Sequence, residues 1–280
     1  MGTSHHLGLL GGGRVSKSFL VRLRRLPESL GPVKASSHRL ASRIANAIHA
    51  GYPVARYEDL NHCREVLIYL PEAQLEPGLE ELLAAELDWA GKVVILCDSV
   101  RDSSELRGLA ERGAAVGSLN PLGGFEDRRF LVEGDRPAVR AARRLLEDHD
   151  TKVLEIQTAE KSLLAAGLVF ATSLFTPLAA AGVDCLRKAG LQSGPAAAIV
   201  ERLVQKSLRG YIKAGRKSWG GPFASRDQDA VLRQLKALFR SNPLLASYYT
   251  ESALFALQLF RQDSEWLRLL TGERAAGASD

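Results

Sequence analysis

The chain has 280 residues, 46% of them hydrophobic and 25% charged, which suits two soluble domains of ordinary size. Its net charge of +5 comes from 37 basic and 32 acidic residues mixed along the chain, a distribution that argues against a nucleic-acid-binding protein. The three cysteines, Cys63, Cys97 and Cys185, are odd in number and lack metal-ligand spacing. We therefore expect no disulfide framework, no metal site and a cytoplasmic location.

The chain opens with an apolar run, Leu7–Leu10, that enters a glycine cluster followed by a helical pattern over Ser16–Leu26. This order predicts a strand, a tight turn and a helix N-terminus, the arrangement that holds a dinucleotide diphosphate in a doubly wound fold. Glycines let the backbone approach phosphate, and the first helical N–H groups point at the anion. An ordinary strand-to-helix turn without a ligand is the alternative. The predicted phosphate-binding residues are Gly11, Gly12, Gly13, Arg14 and Val15.

Short apolar runs alternate with helical patterns through the first half of the chain, which predicts a parallel sheet with crossover helices. The predicted strands are Leu7–Leu10, Val33–Ser36, Val66–Leu70, Val93–Cys97, Ala115–Leu119 and Phe130–Glu133. The predicted helices are Ser16–Leu26, Ser37–Ala50, Pro77–Trp89, Ser103–Arg112 and Arg136–His149. We therefore expect an N-terminal α/β domain, a doubly wound Rossmann domain, over residues 1–157.

The end of the second strand indicates which dinucleotide is bound. An NAD site places an acidic residue there to hold the ribose hydroxyls, whereas this chain has Ser36, Ser37 and Arg39 and no acid. Two hydroxyls and a guanidinium suit a 2′-phosphate, because Arg pairs with phosphate bidentately. The pattern favours NADP, although Ser37 also fits an ordinary helix cap and Arg39 a solvated side chain.

Two further strand ends lie where the nicotinamide half of a dinucleotide would pass. Leu70 and Pro71 follow one strand, and Asn120 lies in a strand that runs into a proline and a glycine pair. Ligands bind outside the carboxyl ends of strands in such sheets. Asn120 could therefore hydrogen-bond a substrate carbonyl or the nicotinamide carboxamide, and simple proline turns are the alternative at both places.

Strand patterns stop near residue 158, and long helical patterns follow. The predicted helices are Ala159–Ala189, Gly194–Ala214, Arg226–Phe239 and Pro243–Phe260. They predict an all-helical domain over residues 158–270 and a disordered tail over 271–280. The stretch Ser162–Val183 carries no charge and is long enough to span a bilayer. Its small residues and Pro177 favour a buried central helix instead.

The glycine turn Gly-Gly-Gly-Arg-Val at residues 11–15, the loop Ser-Leu-Asn-Pro-Leu at residues 118–122 and the helical second half together resemble one family. It comprises the Rossmann-like oxidoreductases with a helical C-terminal domain of unknown function. These are relatives of pyrroline-5-carboxylate reductase, ketopantoate reductase, prephenate dehydrogenase and the β-hydroxyacid dehydrogenases. The resemblance implies an NADP cofactor, a small-molecule substrate bound in the cleft between domains, and a homodimer formed through the helical domain.

Several positions depart from the family pattern. Ser16 replaces the third glycine, and Asn120 replaces a histidine of the loop. A family Tyr-His-Ala-Ala motif is Leu163–Ala166 here, and the asparagine that follows it corresponds to Thr172–Ser173. A later Thr-Gly-Pro-x-x-Arg-Gly-Asp motif is Gly220–Asp227, which keeps its proline, arginine and aspartate. Both family histidines are thus replaced by groups that do not exchange protons near neutral pH.

Hydride transfer to a carbonyl or imine needs a proton source or a partner for the developing charge. The remaining candidates for a catalytic role are Lys161, Asn120, Ser173, Arg226 and Asp227. Lys161 fits a solvated residue at a helix start equally well, and Arg226 with Asp227 fits an ordinary helix start. The sequence therefore predicts an NADP-dependent oxidoreductase acting on C=O or C=N. The alternatives are a catalytically impaired relative that binds NADP as a sensing or structural ligand, and an interaction protein without a cofactor.

Overall fold

The structure is a computed structural model that describes residues 6–15, 18–123, 128–148 and 150–260, with Trp266 and Leu270. The chain divides into two compact units, Met1–Leu168 and Val169–Asp280, which are described separately. The boundary predicted between residues 157 and 158 stays a prediction. Ser16 and the tail at 271–280 lie outside the described residues.

One eight-stranded sheet forms the centre of the first unit. Its strands are β1 (Leu7–Gly11), β2 (Leu30–Lys34), β3 (Tyr52–Val54), β4 (Glu65–Tyr69), β5 (Val93–Leu96), β6 (Ala115–Pro121), β7 (Arg129–Gly134) and β8 (Lys152–Glu155). They are ordered β3-β2-β1-β4-β5-β6-β7-β8, and the pairs are parallel except for the antiparallel pair β6–β7. The first six strands have the order of the doubly wound dinucleotide-binding fold, so the predicted fold class is confirmed.

Helices cover both faces of this sheet. They are α1 (Leu26–Ser29), α2 (His38–Ile48), α3 (Glu72–Ala84), α4 (Arg107–Ala110) and α5 (Arg136–Leu145), with 3-10 helices at Phe19–Arg22, Tyr57–His62 and Ser103–Leu106. Leu9 and Leu67 contribute to one buried cluster, whereas their neighbours Leu10 and Ile68 contribute to the other. Because alternate residues of a strand face opposite sides, covering both sides requires the continuous apolar runs seen in the sequence.

The segment after the glycine turn differs from the prediction. Instead of a helix over Ser16–Leu26, the described part holds the 3-10 helix Phe19–Arg22 and the single-turn α1. Ser18 caps the 3-10 helix by accepting a hydrogen bond from the Leu20 N–H. The spacing of the apolar residues here suits short turns as well as one long helix, so periodicity alone did not separate the two.

Two strands and one helix break were not predicted. The strands β3 and β8 are short and partly exposed, so neither forms an apolar run. The predicted helix Ala159–Ala189 is divided into α6 (Lys161–Ala171) and α7 (Phe175–Lys188). The N–H groups of Thr172 and Leu174 both donate to the carbonyl of Val169, which closes a turn between the two helices.

The second unit is helical in its described residues, as predicted. It contains α7, α8 (Ser193–Ala214), α9 (Pro222–Ser225), α10 (Gln228–Ser241) and α11 (Pro243–Phe260), with a 3-10 helix at Gly215–Ser218. Its small core is formed by Val231, Leu235, Ala253, Leu257, Trp266 and Leu270. This core joins α10 to α11 and leaves much of α7 and α8 outside it.

The uncharged stretch Ser162–Val183 is largely exposed in the part of the chain that the structure describes. The continuous segment Lys161–Lys188 has the length and hydropathy of a membrane span, and none of its most apolar window is buried. Leu163 is 70% exposed and Phe170 58% exposed. The burial predicted for this segment is therefore not supplied by the described residues.

Candidate nucleotide site at the glycine turn

The glycine turn is held close to the end of the neighbouring strand β4. The Gly12 N–H donates to the Tyr69 carbonyl at 2.8 Å, and Gly13 has a left-handed φ of 62°. A Cβ atom on Gly12 would lie 2.9 Å from Pro71 Cδ, and one on Gly13 would lie 2.8 Å from Pro71 Cγ. Both positions therefore require glycine, because a side chain there would meet Pro71 and, at Gly12, also Leu70 and Gln74.

A cavity of about 480 Å³ opens beside this turn. Its lining residues come from the turn, from α2 and from the start of α3: Gly13, Arg14, Val15, Leu40, Arg43, Ile44, Ala47 and Gln74. Arg14 and Arg43 are both exposed, and neither has a hydrogen-bond or ion-pair partner among the described residues. The cavity is thus lined by the glycine turn and by two arginines, a combination suited to an anion.

The end of β2 carries the residues predicted to select NADP. The Ser37 hydroxyl oxygen accepts a hydrogen bond from the Leu40 N–H at 3.2 Å. Ser37 therefore caps α2, as the helix-cap alternative for this residue predicted. Ser36 and Arg39 are exposed, and no described residue pairs with Arg39. Lys34, the last residue of β2, is buried with its ammonium 4.3 Å from the centre of the Tyr57 ring. The region holds positive charge and lacks the acid of an NAD site.

Leu70 and Pro71 lie against the glycine turn. Pro71 is the N-cap of α3, and Leu70 Cδ2 would be 3.0 Å from a Cβ on Gly12. These two residues follow β4 and pack against the glycine turn. Their predicted contact with the nicotinamide half of a cofactor stays a prediction.

Lys161 is buried in the first unit, with only 1% of its surface exposed. Its ammonium group donates to the Asp98 carbonyl at 2.6 Å, the Arg101 carbonyl at 3.0 Å and the Ser118 hydroxyl at 2.9 Å. An ammonium has three hydrogens, so all of them are directed at protein acceptors. These hydrogen bonds connect the start of α6 to β6 and to the loop after β5, and the predicted catalytic role of Lys161 stays a prediction.

A buried carboxylate lies in the same region. Glu133 on β7 is 1% exposed and accepts hydrogen bonds from the N–H of Ser103 at 2.9 Å and from its hydroxyl at 2.7 Å. Burial lowers the pKa of Lys161, while the charges of Glu133 and Asp98 act in the opposite direction. Burial also raises the pKa of the adjacent Cys97 thiol to about 12.

Asn120 lies near the carboxyl end of β6 and is 5% exposed. Its Nδ2 donates to the Pro121 carbonyl at 3.0 Å, whereas its Oδ1 is buried without a hydrogen-bond partner among the described residues. An unsatisfied buried acceptor costs about 1–3 kcal/mol, so such atoms are rare unless a ligand or water completes them. Asn120 is therefore the predicted site residue with the clearest sign of a missing partner.

The other predicted catalytic residues lie in the second unit. Ser173 is exposed in the turn between α6 and α7. Arg226 ends α9 with a left-handed φ of 62°, and Asp227 caps α10 by accepting from the Ala230 N–H at 2.9 Å. The helix-cap alternative thus describes the geometry of Asp227. The catalytic roles of these three residues stay predictions.

An apolar groove of about 550 Å³ in the second unit was not predicted from the sequence. It lies between α7, α10 and α11, and its walls include Cys185, Trp219, Phe223 and Tyr249. The Tyr249 hydroxyl donates to Gln234 Oε1 at 2.5 Å, and burial raises the pKa of Tyr249 to about 12. These residues lie far apart in the sequence. The apolar periodicity of each helix predicts its buried face, but it does not show that the faces of α7, α10 and α11 enclose a groove.

Comparison with known proteins gives one family match. Residues 129–255 match the family model described as "Domain of unknown function (DUF2520)". No curated protein sequence matches the chain.

Solved structures share the architecture of the whole chain. A Bacteroides fragilis protein provisionally assigned as an NADP oxidoreductase has a TM-score of 0.68 and 13% identity, over 91% of this chain and 98% of that one. An imine reductase from Myxococcus stipitatus in complex with NADP+ has a TM-score of 0.62 and 14% identity, over 95% and 98%. The V8 variant of imine reductase from Myxococcus stipitatus, in complex with NAD+, has a TM-score of 0.64 and 14% identity, over 97% of this chain and 99% of that one.

These identities are low, so the structural similarity establishes the fold and not the reaction. The fold of the whole chain and the match over residues 129–255 agree with the family that the sequence resembles, the Rossmann-like oxidoreductases with a helical C-terminal domain of unknown function.

Proposed function

We propose that this protein binds NADP(H) and transfers a hydride to or from the C=O or C=N bond of a small substrate. The observation that carries the proposal is the glycine turn, where added Cβ atoms would clash with Pro71 and where two arginines line a cavity. Bound there, the cofactor would supply or accept the hydride, and the residues of this chain would hold and orient it.

The position of Asn120 is consistent with this cofactor. The strands β1, β4, β5 and β6 are parallel, so the carboxyl end of β6 lies at the same edge of the sheet as the glycine turn. The unpartnered Oδ1 would accept a hydrogen bond from the carboxamide of a nicotinamide or from a substrate N–H. Both uses are compatible with the buried position of Asn120, which excludes bulk water from that acceptor.

Calorimetric titration tests the choice of cofactor. We expect NADPH to bind more tightly than NADH, because Ser36, Ser37 and Arg39 suit a 2′-phosphate. Arg39→Gln should weaken NADPH binding about tenfold, as expected for loss of a charged hydrogen bond. Its affinity for NADH should stay unchanged, which makes NADH the internal control. Equal binding of both cofactors by the wild-type protein would contradict the NADP assignment.

The geometry of Lys161 also supports a second candidate function, a relative that binds NADP without turnover. All three ammonium hydrogens are used inside the protein, and the family histidines are absent from this chain. Oxidation of NADPH in the presence of a panel of cyclic imines and small carbonyl compounds separates the candidates. Turnover of any member supports the oxidoreductase, and tight binding without turnover supports the sensing or structural role.

We also propose that the protein is a homodimer formed through the helical unit, located in the cytoplasm and outside the membrane. The support is the exposed apolar surface of α6, α7 and α8, which a soluble monomer rarely presents over such an area. A second copy that covers these helices would supply the burial that one chain lacks.

Light scattering measures this assembly directly. We expect twice the chain mass of 30.4 kDa for the wild-type protein, and the chain mass for Phe170→Asp, which places a charge in the apolar surface. Val100→Asp is the matched control, because Val100 is 65% exposed in the first unit, and it should remain a dimer. A monomeric wild-type protein would overturn the proposal, and recovery only with detergent or membranes would favour a membrane-bound form.

A further inference from the structure

The described part of the segment after the glycine turn, residues 18–29, holds no helix longer than a single turn. In a doubly wound fold the following helix directs its free N–H groups and the positive end of its dipole at the phosphates. Here the described segment between β1 and β2 contains only a 3-10 helix and an α-helix, each of four residues. Such short turns align few peptide dipoles, so they offer little of the charge that a long helix provides.

The second helix, α2, approaches the turn instead. A Cβ on Gly11 would lie only 3.0 Å from Ile44 Cδ1, which shows how closely α2 packs against the end of β1. Arg43 precedes Ile44, and it lines the same cavity as Gly13 and Arg14. Arg43 therefore lies on the part of α2 that packs against the end of β1.

We infer that Arg43, together with Arg14, binds the diphosphate of the dinucleotide in the cavity beside the glycine turn. This inference rests on the proposed function and names two residues that perform its anion-binding step. A diphosphate linkage carries two negative charges, and two arginines whose guanidinium groups have no partner among the described residues line the cavity. Each guanidinium can hold a phosphate through two parallel hydrogen bonds, which a single N–H group cannot do.

The position of Arg43 separates its role from that of Arg39. The two residues are four apart on α2 and therefore lie on the same side of the helix. Arg39 is in the first turn, next to the end of β2, whereas Arg43 is one turn further along and borders the glycine turn. We assign the 2′-phosphate to Arg39 and the diphosphate to Arg43.

Titration of wild-type protein and variants with NADPH, NADH and adenosine diphosphate ribose tests the inference, because all three probes contain the diphosphate. We expect Arg43→Gln to weaken binding of the three by a similar factor, about tenfold or more. Arg43→Lys keeps the charge without the planar fork and should recover part of the affinity. Arg140→Gln, which removes an exposed charge on α5, is the matched control and should change none of the affinities.

Three outcomes would overturn the assignment. Unchanged binding by Arg43→Gln would show that the guanidinium does not contact the ligand. A loss for NADPH alone would show that Arg43 contacts the 2′-phosphate. If the wild-type protein binds none of the three probes, the proposed function itself fails, and that result is distinct from a failure of Arg43. Circular dichroism of each variant verifies that the fold is intact.

Discussion

Lys161→Met is expected to lower the free energy of unfolding of the first unit by about 3 kcal/mol or more. Methionine fills similar volume but has no donor, so the carbonyls of Asp98 and Arg101 and the Ser118 hydroxyl lose their partner. Glu133 also loses the electrostatic interaction with the Lys161 ammonium. Denaturant unfolding followed by circular dichroism measures the loss.

The same variant separates a positioning role from a catalytic one. A positioning role predicts a large loss of stability with NADPH affinity kept at temperatures where the variant is folded. A catalytic role predicts loss of turnover in a protein of unchanged stability. Lys152→Met, which removes an exposed lysine on β8, is the control and should change neither property.

The stability of the wild-type protein should also depend on pH through Lys161. Burial lowers the pKa of Lys161 in the folded state, so above that value the unfolded chain binds more protons than the folded one. The free energy of unfolding of the wild-type protein therefore rises, relative to Lys161→Met, as the pH increases from the lowered pKa towards the ordinary lysine value. This increment is absent below the lowered pKa, where the difference between the two proteins is constant. The difference in unfolding free energy between wild type and Lys161→Met, measured at neutral and alkaline pH, should grow at the alkaline end. A constant difference would contradict the lowered pKa.

Gly13→Ala is expected to have the second largest effect and to remove most of the NADPH binding. A left-handed φ of 62° costs an alanine about 1–2 kcal/mol, and the added Cβ would meet the stiff ring of Pro71 at 2.8 Å. The turn must shift to relieve this contact, which displaces the backbone from its position beside the cavity. We expect NADPH affinity to fall at least about tenfold, with a loss of stability of about 1–2 kcal/mol. Calorimetry and thermal unfolding measure the two effects.

Gly91 provides the matched control for this substitution. It also has a left-handed φ, of 73°, but a Cβ there would meet no atom within 4 Å. Gly91→Ala should therefore cost a similar conformational strain and leave NADPH binding unchanged. If both variants kept full affinity, the glycine turn would not be the nucleotide site.

The sequence predicted the parts of the fold that depend on apolar patterning. The strands β1, β4 and β5 are covered on both faces, so their side chains form runs that are visible without any structure. The strand β8 has mostly exposed side chains and therefore lacked this signal. The helix predicted to start at Pro77 begins instead at Glu72, because Pro77 is accommodated inside α3 and does not mark its start.

The candidate site was predicted only in part, because local sequence patterns do not show which side chains contact each other in the folded protein. The glycine turn was visible from its composition, but the burial of Lys161 depends on carbonyls some 60 positions away along the chain. The signal for Glu133 was present as an acid inside an apolar strand, and the signal for Arg43 was its four-residue spacing from Arg39. Neither signal shows which cavity or partner the side chain meets.

The different environments of the three cysteines offer a practical route to observing the second unit. Cys63 and Cys97 are buried, and burial raises their pKa values to about 11 and about 12, so little reactive thiolate forms at either. Cys185 is only partly buried and lies in the wall of the apolar groove. An alkylating fluorophore should therefore attach to Cys185 in the unmodified protein. Its emission would then report occupancy of the groove without any engineered labelling position.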